Sequence, residues 1–229
     1  MDISRRDALV GGGGIITGVS LSTAYSRVTT TDTTTTTTSS DEQSVDVVSE
    51  NRPTIGDTAP VKLFYWNDYQ CPFCYRFELS TLPQINTELI RDGTVQVIIK
   101  PINVFGNDSE RAALGSHCGY EQADGITEFM TWHSTLYQEY QDGNKENNGW
   151  ASPENQASYA SNITHINGDD IAQCISNETY SNRVATDMTE ADDAGLTGTP
   201  FFLFYAPETG DTTTITGSQP FTRYKETIN

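Results

Sequence analysis

The chain has 229 residues, with 31 acidic residues against 13 Lys plus Arg and a net charge of −18. The acidic residues are dispersed along the body, as in a solvating surface, and no basic patch interleaved with aromatics is present, which excludes nucleic acid as a partner. Such a lysine-poor, Asp/Glu/Thr-rich composition suits molar salt, where the Debye length falls to roughly 3 Å and self-repulsion is muted.

Residues 1–26 read as a Tat-type export signal or anchor. Arg5-Arg6 precedes an uncharged stretch from Val10 to Ala24 that contains Gly11 to Gly14 and several Ser/Thr residues. That stretch is a weak membrane span, because a span needs about 20 predominantly apolar residues. Small residues at Ser22, Ala24 and Ser26 could supply a cleavage site, whereas a retained anchor would better explain the spacer that follows. Residues 27–59 form that spacer, almost all Thr and Ser from Thr29 to Ser40, and a run of this kind buries no apolar surface and stays disordered. Asn107, Asn162 and Asn177 head N-x-Ser/Thr sequons, usable for glycosylation only in an exported protein.

The body, residues 60–229, is about one domain in size. Val61 to Trp66 predicts a strand, and Cys71-Pro72-Phe73-Cys74 opens a helix on which Phe77, Leu79, Leu82, Ile85, Leu89 and Ile90 recur at helical spacing, with a kink at Pro83. Pro72 suits the first helical turn, where its missing N–H has no partner to lose. Arg91-Asp92-Gly93 stops the helix, and Val95 to Ile99 is a second strand, giving βαβ and a parallel pair. Helical patterns follow over 109–121, 127–140, 152–162, 169–176 and 179–194, with Ser152 and Pro153 as a capping pair. Phe201 to Tyr205, a turn at 207–211 and a Thr-rich strand to Thr216 form a hairpin, closed by a helix from Phe221.

A lone C-x-x-C serves metal binding, a structural disulfide or redox work. Placed at a strand-to-helix junction it favours redox chemistry, because the unpaired N–H groups and positive dipole of the helix start stabilise a thiolate at Cys71. Cys74, one turn further in, is then the resolving sulfur. Phe73 and Pro72, between the sulfurs, alter their solvation and hence the redox poise. No cofactor and no metal is expected. His117, His133 and His165 lack metal-ligand spacing, and Cys118 and Cys174 lack the short spacing of zinc pairs. Asp68 reads as a turn-former and Lys100 as a solvated lysine, while packing or surface exposure accounts for His133.

Asn67-Asp68-Tyr69-Gln70-Cys71-Pro72-Phe73-Cys74, followed far downstream by Thr197-Gly198-Thr199-Pro200, resembles the DsbA-like branch of the thioredoxin superfamily over residues 60–228. The resemblance implies an α/β thioredoxin fold with an inserted helical domain at about 102–197. It also implies a cis proline at Pro200 that, with Thr199, holds a substrate peptide as an added strand, and a second, structural disulfide between Cys118 and Cys174. The implied activity is that of a monomeric, exported dithiol oxidase. Its partners would be secreted proteins with thiols and a quinone-linked membrane protein that reoxidises it. One departure stands out: the acidic residue often found six positions before the first cysteine is Tyr65 here. The alternatives are a disulfide reductase or isomerase, and a non-catalytic glycosylated surface protein.

Overall fold

The computed structural model describes residues 50–141 and 146–228, so the signal-like stretch and the Thr/Ser run lie outside the described residues. The central strand β2 (Val61–Asn67) pairs in parallel with β3 (Val95–Pro101), from Val61 opposite Val95 to Asn67 opposite Pro101. On its other side β2 pairs antiparallel with β4 (Phe201–Ala206), with Trp66 opposite Phe201. Two further strands, β1 (Thr54–Ile55) and β5 (Asp211–Thr216), complete a five-stranded sheet in the order β1-β3-β2-β4-β5. β1 falls within the range expected to be disordered spacer, and residues 50–59 therefore belong to the folded body. Two residues paired with Ile98 and Val97 are too short a run to carry a hydrophobic period.

Successive side chains of a strand face opposite ways, and both faces of this sheet are covered. Leu63, Tyr65, Val97, Ile99, Phe202 and Phe204 lie in the larger core, with Phe77 of α1 (Pro72–Ser80) and Tyr224 of α8 (Phe221–Ile228). Phe64, Trp66, Ile98, Phe201 and Leu203 lie in the smaller core, with Ala191 of α7 (Ser181–Asp193). The kink expected at Pro83 appears as a break at Thr81, where α1 ends, followed by α2 (Leu82–Ile85) and a π-helical turn (Asn86–Ile90). Without an N–H, Pro83 cannot continue a ladder across that point.

Between β3 and β4 the chain runs through α3 (Asn107–Gln122), α4 (Ile126–Gln141), α5 (Pro153–Tyr159), α6 (Gly168–Ser176) and α7, the inserted helical segment. Ser152 caps α5 as expected, its hydroxyl accepting from the Asn155 N–H at 3.2 Å. A disulfide joins Cys118 on α3 to Cys174 on α6. Lys100 departs from expectation: it is fully buried, its ammonium 2.8 Å from Asp187 and in contact with Glu190. Arg52 reaches the same Asp187 at 2.8 Å. The charges are paired because an isolated buried charge would be strongly destabilising, and the partners lie too far apart in sequence for any local pattern to announce them.

Candidate active site

β2 delivers the chain into a tight turn whose shape is fixed by Asp68. Asp68 forms the turn as expected, but through a buried side chain that also reaches beyond it, accepting from the N–H groups of Gln70, Val104 and Phe105 and from the Ser109 hydroxyl, at 2.7–3.1 Å. Burial raises the Asp68 pKa, and these four hydrogen bonds oppose the rise. Gln70 ties the turn to the insertion through Ser109 and the Trp150 indole. The Cys71 N–H then bonds the Asp68 carbonyl at 3.0 Å, which places Cys71 at the N-cap of α1 with Pro72 following.

The Cys71 sulfur accepts from the Cys74 N–H at 3.4 Å, and in its thiol form can donate to the Thr199 carbonyl at 3.2 Å. The Thr199-Pro200 peptide bond is cis. Residues 128 positions apart are thus brought together because β2 and β4 are direct neighbours in the sheet. A hydrogen bond from the Cys74 thiol does most to lower the Cys71 pKa, to about 6; burial opposes it, and Thr199 and the N–H groups of Cys74 and Phe73 lower it further. Cys74 goes the other way, pushed well above an ordinary thiol first by burial and then by its neighbour Cys71. The two sulfurs are chemically unlike although they lie one helical turn apart: one holds a thiolate at neutral pH, the other holds its proton.

Phe73, between them in sequence, is 50% exposed, whereas Cys71 and Cys74 are both buried. The Arg76 guanidinium lies over the Phe73 ring at 5.2 Å. The Thr199 hydroxyl is buried without a hydrogen-bond partner of good geometry. Cys118 and Cys174 are bonded to each other, and Cys71 and Cys74 are the free cysteines among the described residues. Among the described residues no group of three or more His, Cys, Asp or Glu side chains could hold a metal ion.

Behind Cys74 lies a set of polar side chains that sequence reading passed over. His133 is fully buried, with Nδ1 2.7 Å from the Tyr69 hydroxyl and Nε2 3.0 Å from Glu78. Tyr137 accepts from Asn67 at 2.9 Å and lies 3.4 Å from the Tyr65 hydroxyl. The one available signal was the position of His133 on the apolar stripe of α4, four residues after Phe129.

The thioredoxin family profile matches residues 49–215. Disulfide bond formation protein D of Bacillus subtilis (strain 168) is 27% identical over 165 residues, 69% of this chain and 72% of that protein. A probable disulfide bond formation protein D of Bacillus anthracis is 29% identical over 98 residues, 43% of each chain. Among solved structures, oxidised BdbD from Bacillus subtilis superposes with a TM-score of 0.67 at 24% identity, covering 78% of this chain and 91% of that one. Chlamydia trachomatis DsbA gives 0.64 at 20% identity, covering 80% and 92%. The chain belongs to the thioredoxin family, and within it is a DsbA-like thiol–disulfide oxidoreductase.

Proposed function

We propose that this oxidoreductase is an exported dithiol oxidase that introduces disulfides into secreted proteins through Cys71 and Cys74. The observation that carries this reading is the inequality of the two sulfurs: a Cys71 thiolate stabilised at the start of α1, beneath the cis-proline loop, next to a buried Cys74 thiol. In the oxidised enzyme a substrate thiolate attacks the Cys71 sulfur, the Cys71–Cys74 bond breaks, and the electron pair leaves on Cys74, which takes a proton. A second substrate thiolate then attacks the substrate sulfur of the mixed disulfide. The substrate disulfide forms and Cys71 departs as a thiolate, a good leaving group because its pKa is low. The Thr199 carbonyl and the backbone beside cis Pro200 offer hydrogen bonds to an extended substrate segment next to Cys71. Pro72 and Phe73, the two residues between the sulfurs, tune the pair, Pro72 by fixing the first turn and Phe73 by altering the solvation next to Cys71.

Removal of electrons from reduced Cys71 and Cys74 requires an oxidant, for which a quinone-linked membrane partner is the proposed source. Disulfides persist in oxidising compartments, and the Cys118–Cys174 bond, the paired arginines near the amino terminus and the exposed sequon asparagines Asn107, Asn162 and Asn177 favour export. The acidic surface fits work in molar salt. No described helix is long and apolar enough to cross a membrane.

The deciding experiment titrates the purified protein against glutathione redox buffers in molar KCl, following each cysteine by alkylation and mass spectrometry. A strongly oxidising Cys71–Cys74 pair is expected. A strongly reducing pair would make the protein a reductase, and a Cys71→Ser variant that still oxidised reduced model proteins would end the assignment of the site.

A further inference from the structure

The three residues before Cys71 all send their side chains into the insertion. Asp68 bonds Ser109 of α3, Tyr69 bonds Ser116 of α3 and His133 of α4, and Gln70 bonds Ser109, the Asn147 N–H and the Trp150 indole. The nucleophile is therefore seated against the insertion as well as on the sheet. Asp68 joins the two most directly: its carbonyl accepts from the Cys71 N–H at 3.0 Å while its carboxylate reaches across to α3 and the loop before it.

That carboxylate is surrounded by donors. Oδ1 accepts from the Gln70 N–H at 2.8 Å and the Ser109 hydroxyl at 2.7 Å; Oδ2 accepts from the Val104 N–H at 2.7 Å and the Phe105 N–H at 3.1 Å. Two donors on each oxygen fill the four acceptor positions of a carboxylate. An asparagine in its place would accept from two of the four and set its own amide N–H groups against the others. Ser109 closes the arrangement: its single proton goes to Asp68, and its oxygen accepts from Gln70 Nε2 at 2.9 Å. One buried hydroxyl of the insertion thus holds residues 68 and 70 together.

Among the described residues no Lys, Arg or His forms an ion pair with Asp68. The ionisable groups in its field are the phenols of Tyr69 and Tyr140, and Tyr140 also senses Cys71. A turn alone needs only the bond to the Gln70 N–H, a closure that serine or asparagine supplies without burying a charge. A negative charge three residues before Cys71 opposes a thiolate there at any separation. Any benefit to the redox pair must then come from position, and the two influences have opposite signs.

We propose that Asp68 is a positioning residue for Cys71: its carboxylate clamps the turn before the nucleophile to the first loop and first helix of the insertion, and the reactivity of Cys71 depends on that clamp. The proposal rests on Cys71 and Cys74 being the redox pair. With the clamp closed, the Cys71 N–H stays on the Asp68 carbonyl and the Cys71 sulfur stays 3.4 Å from the Cys74 N–H. With it open, the turn is free to leave the N-cap geometry and the thiolate loses donors at the helix start. Cys71 then becomes a poorer leaving group when a substrate disulfide closes. Asp68 acts through the backbone of the turn, and Ser109 is its partner in that role.

The test follows alkylation of the reduced protein by iodoacetamide from pH 4 to 9, with mass spectrometry assigning the product to Cys71. The variants are Asp68→Asn, Ser109→Ala and, as the cap of α5, Ser152→Ala. Asp68→Asn is expected to raise the Cys71 midpoint from about 6 by roughly one pH unit, a tenfold change in the ratio of thiolate to thiol. Ser109→Ala, which keeps the charge and removes one donor, raises it in the same direction by less. In both, the equilibrium with glutathione at pH 7 shifts towards the Cys71–Cys74 disulfide. Ser152→Ala, destabilised by loss of its cap, keeps the parent midpoint.

A midpoint that falls in Asp68→Asn would show that only the charge is felt, and would overturn the proposal. An unmoved midpoint in Asp68→Asn, or an equal rise in Ser152→Ala, would overturn it too. If Asp68→Asn does not fold, Ser109→Ala decides alone by the same criterion. A parent protein whose Cys71–Cys74 bond does not react with glutathione would instead refute the redox-pair assignment, and the proposal with it.

Discussion

Replacing Cys74 by alanine removes the donor that does most to hold Cys71 as a thiolate, while leaving α1 and its backbone N–H groups in place. A hydrogen bond to a charged group is worth about 1.5–3 kcal/mol, and a pKa unit about 1.4 kcal/mol, so the Cys71 midpoint should rise by roughly one to two pH units. It should not return to an ordinary thiol value, because the Cys74 and Phe73 N–H groups and Thr199 still act on the sulfur. With a pKa of about 6, about nine in ten Cys71 side chains are ionised at pH 7 in the parent protein. In the variant the fraction falls to between about a half and a tenth. The assay is the pH dependence of iodoacetamide alkylation, with thiolate absorbance in the ultraviolet as an independent readout; the Cys118–Cys174 disulfide contributes to neither. An unchanged midpoint in Cys74→Ala would refute the reasoning, since it would place the stabilisation in the helix start alone.

Three further outcomes follow from the same structure. Cys71 has a lowered pKa, so its contribution to the stability of the reduced protein is full above the ordinary thiol value of 9.0 and is lost as pH falls through about 6. The melting temperature of the reduced form relative to the oxidised form should therefore rise from pH 5 to pH 9, and a pH-independent difference would contradict this. Lys100→Met leaves Asp187 and Glu190 without their shared ammonium, and denaturant unfolding should show a loss of about 3–5 kcal/mol. Joint replacement of Cys118 and Cys174 by serine opens a cross-link between positions 56 apart; urea titration should show a loss of about 4 kcal/mol, with glutathione reduction of Cys71–Cys74 retained.

What could be read from the sequence was whatever is encoded by near neighbours. Val61 to Trp66 is apolar at every position but Lys62, Pro72 sits where a helix tolerates it, and Ser152 precedes Pro153, so strand, helix start and cap were each legible from a few adjacent residues. The cis bond at Pro200 and the Cys118–Cys174 pairing came from resemblance to relatives, since no local rule yields either. The buried polar groups were missed for a common reason. Asp68, Lys100 and His133 are each satisfied by partners tens of residues away: Ser109 for Asp68, Asp187 for Lys100, Glu78 and Tyr69 for His133. A polar residue with an unseen partner looks the same in sequence as a polar residue in water.

The Arg52 contact with Asp187 bears on where the autonomous folding unit begins. Hydrophobic pattern alone would start it at Val61, since little between Glu50 and Pro60 looks like core. A chain cut there would lose more than the short strand β1. Asp187 and Glu190 would then face Lys100 with one cation fewer, in a region sealed by Trp66 and the second apolar cluster, where water cannot make up the difference. The amino-terminal edge of this domain is thus set by an electroneutrality requirement, and a truncation series should show its sharpest drop in cooperativity between cuts made before and after residue 52.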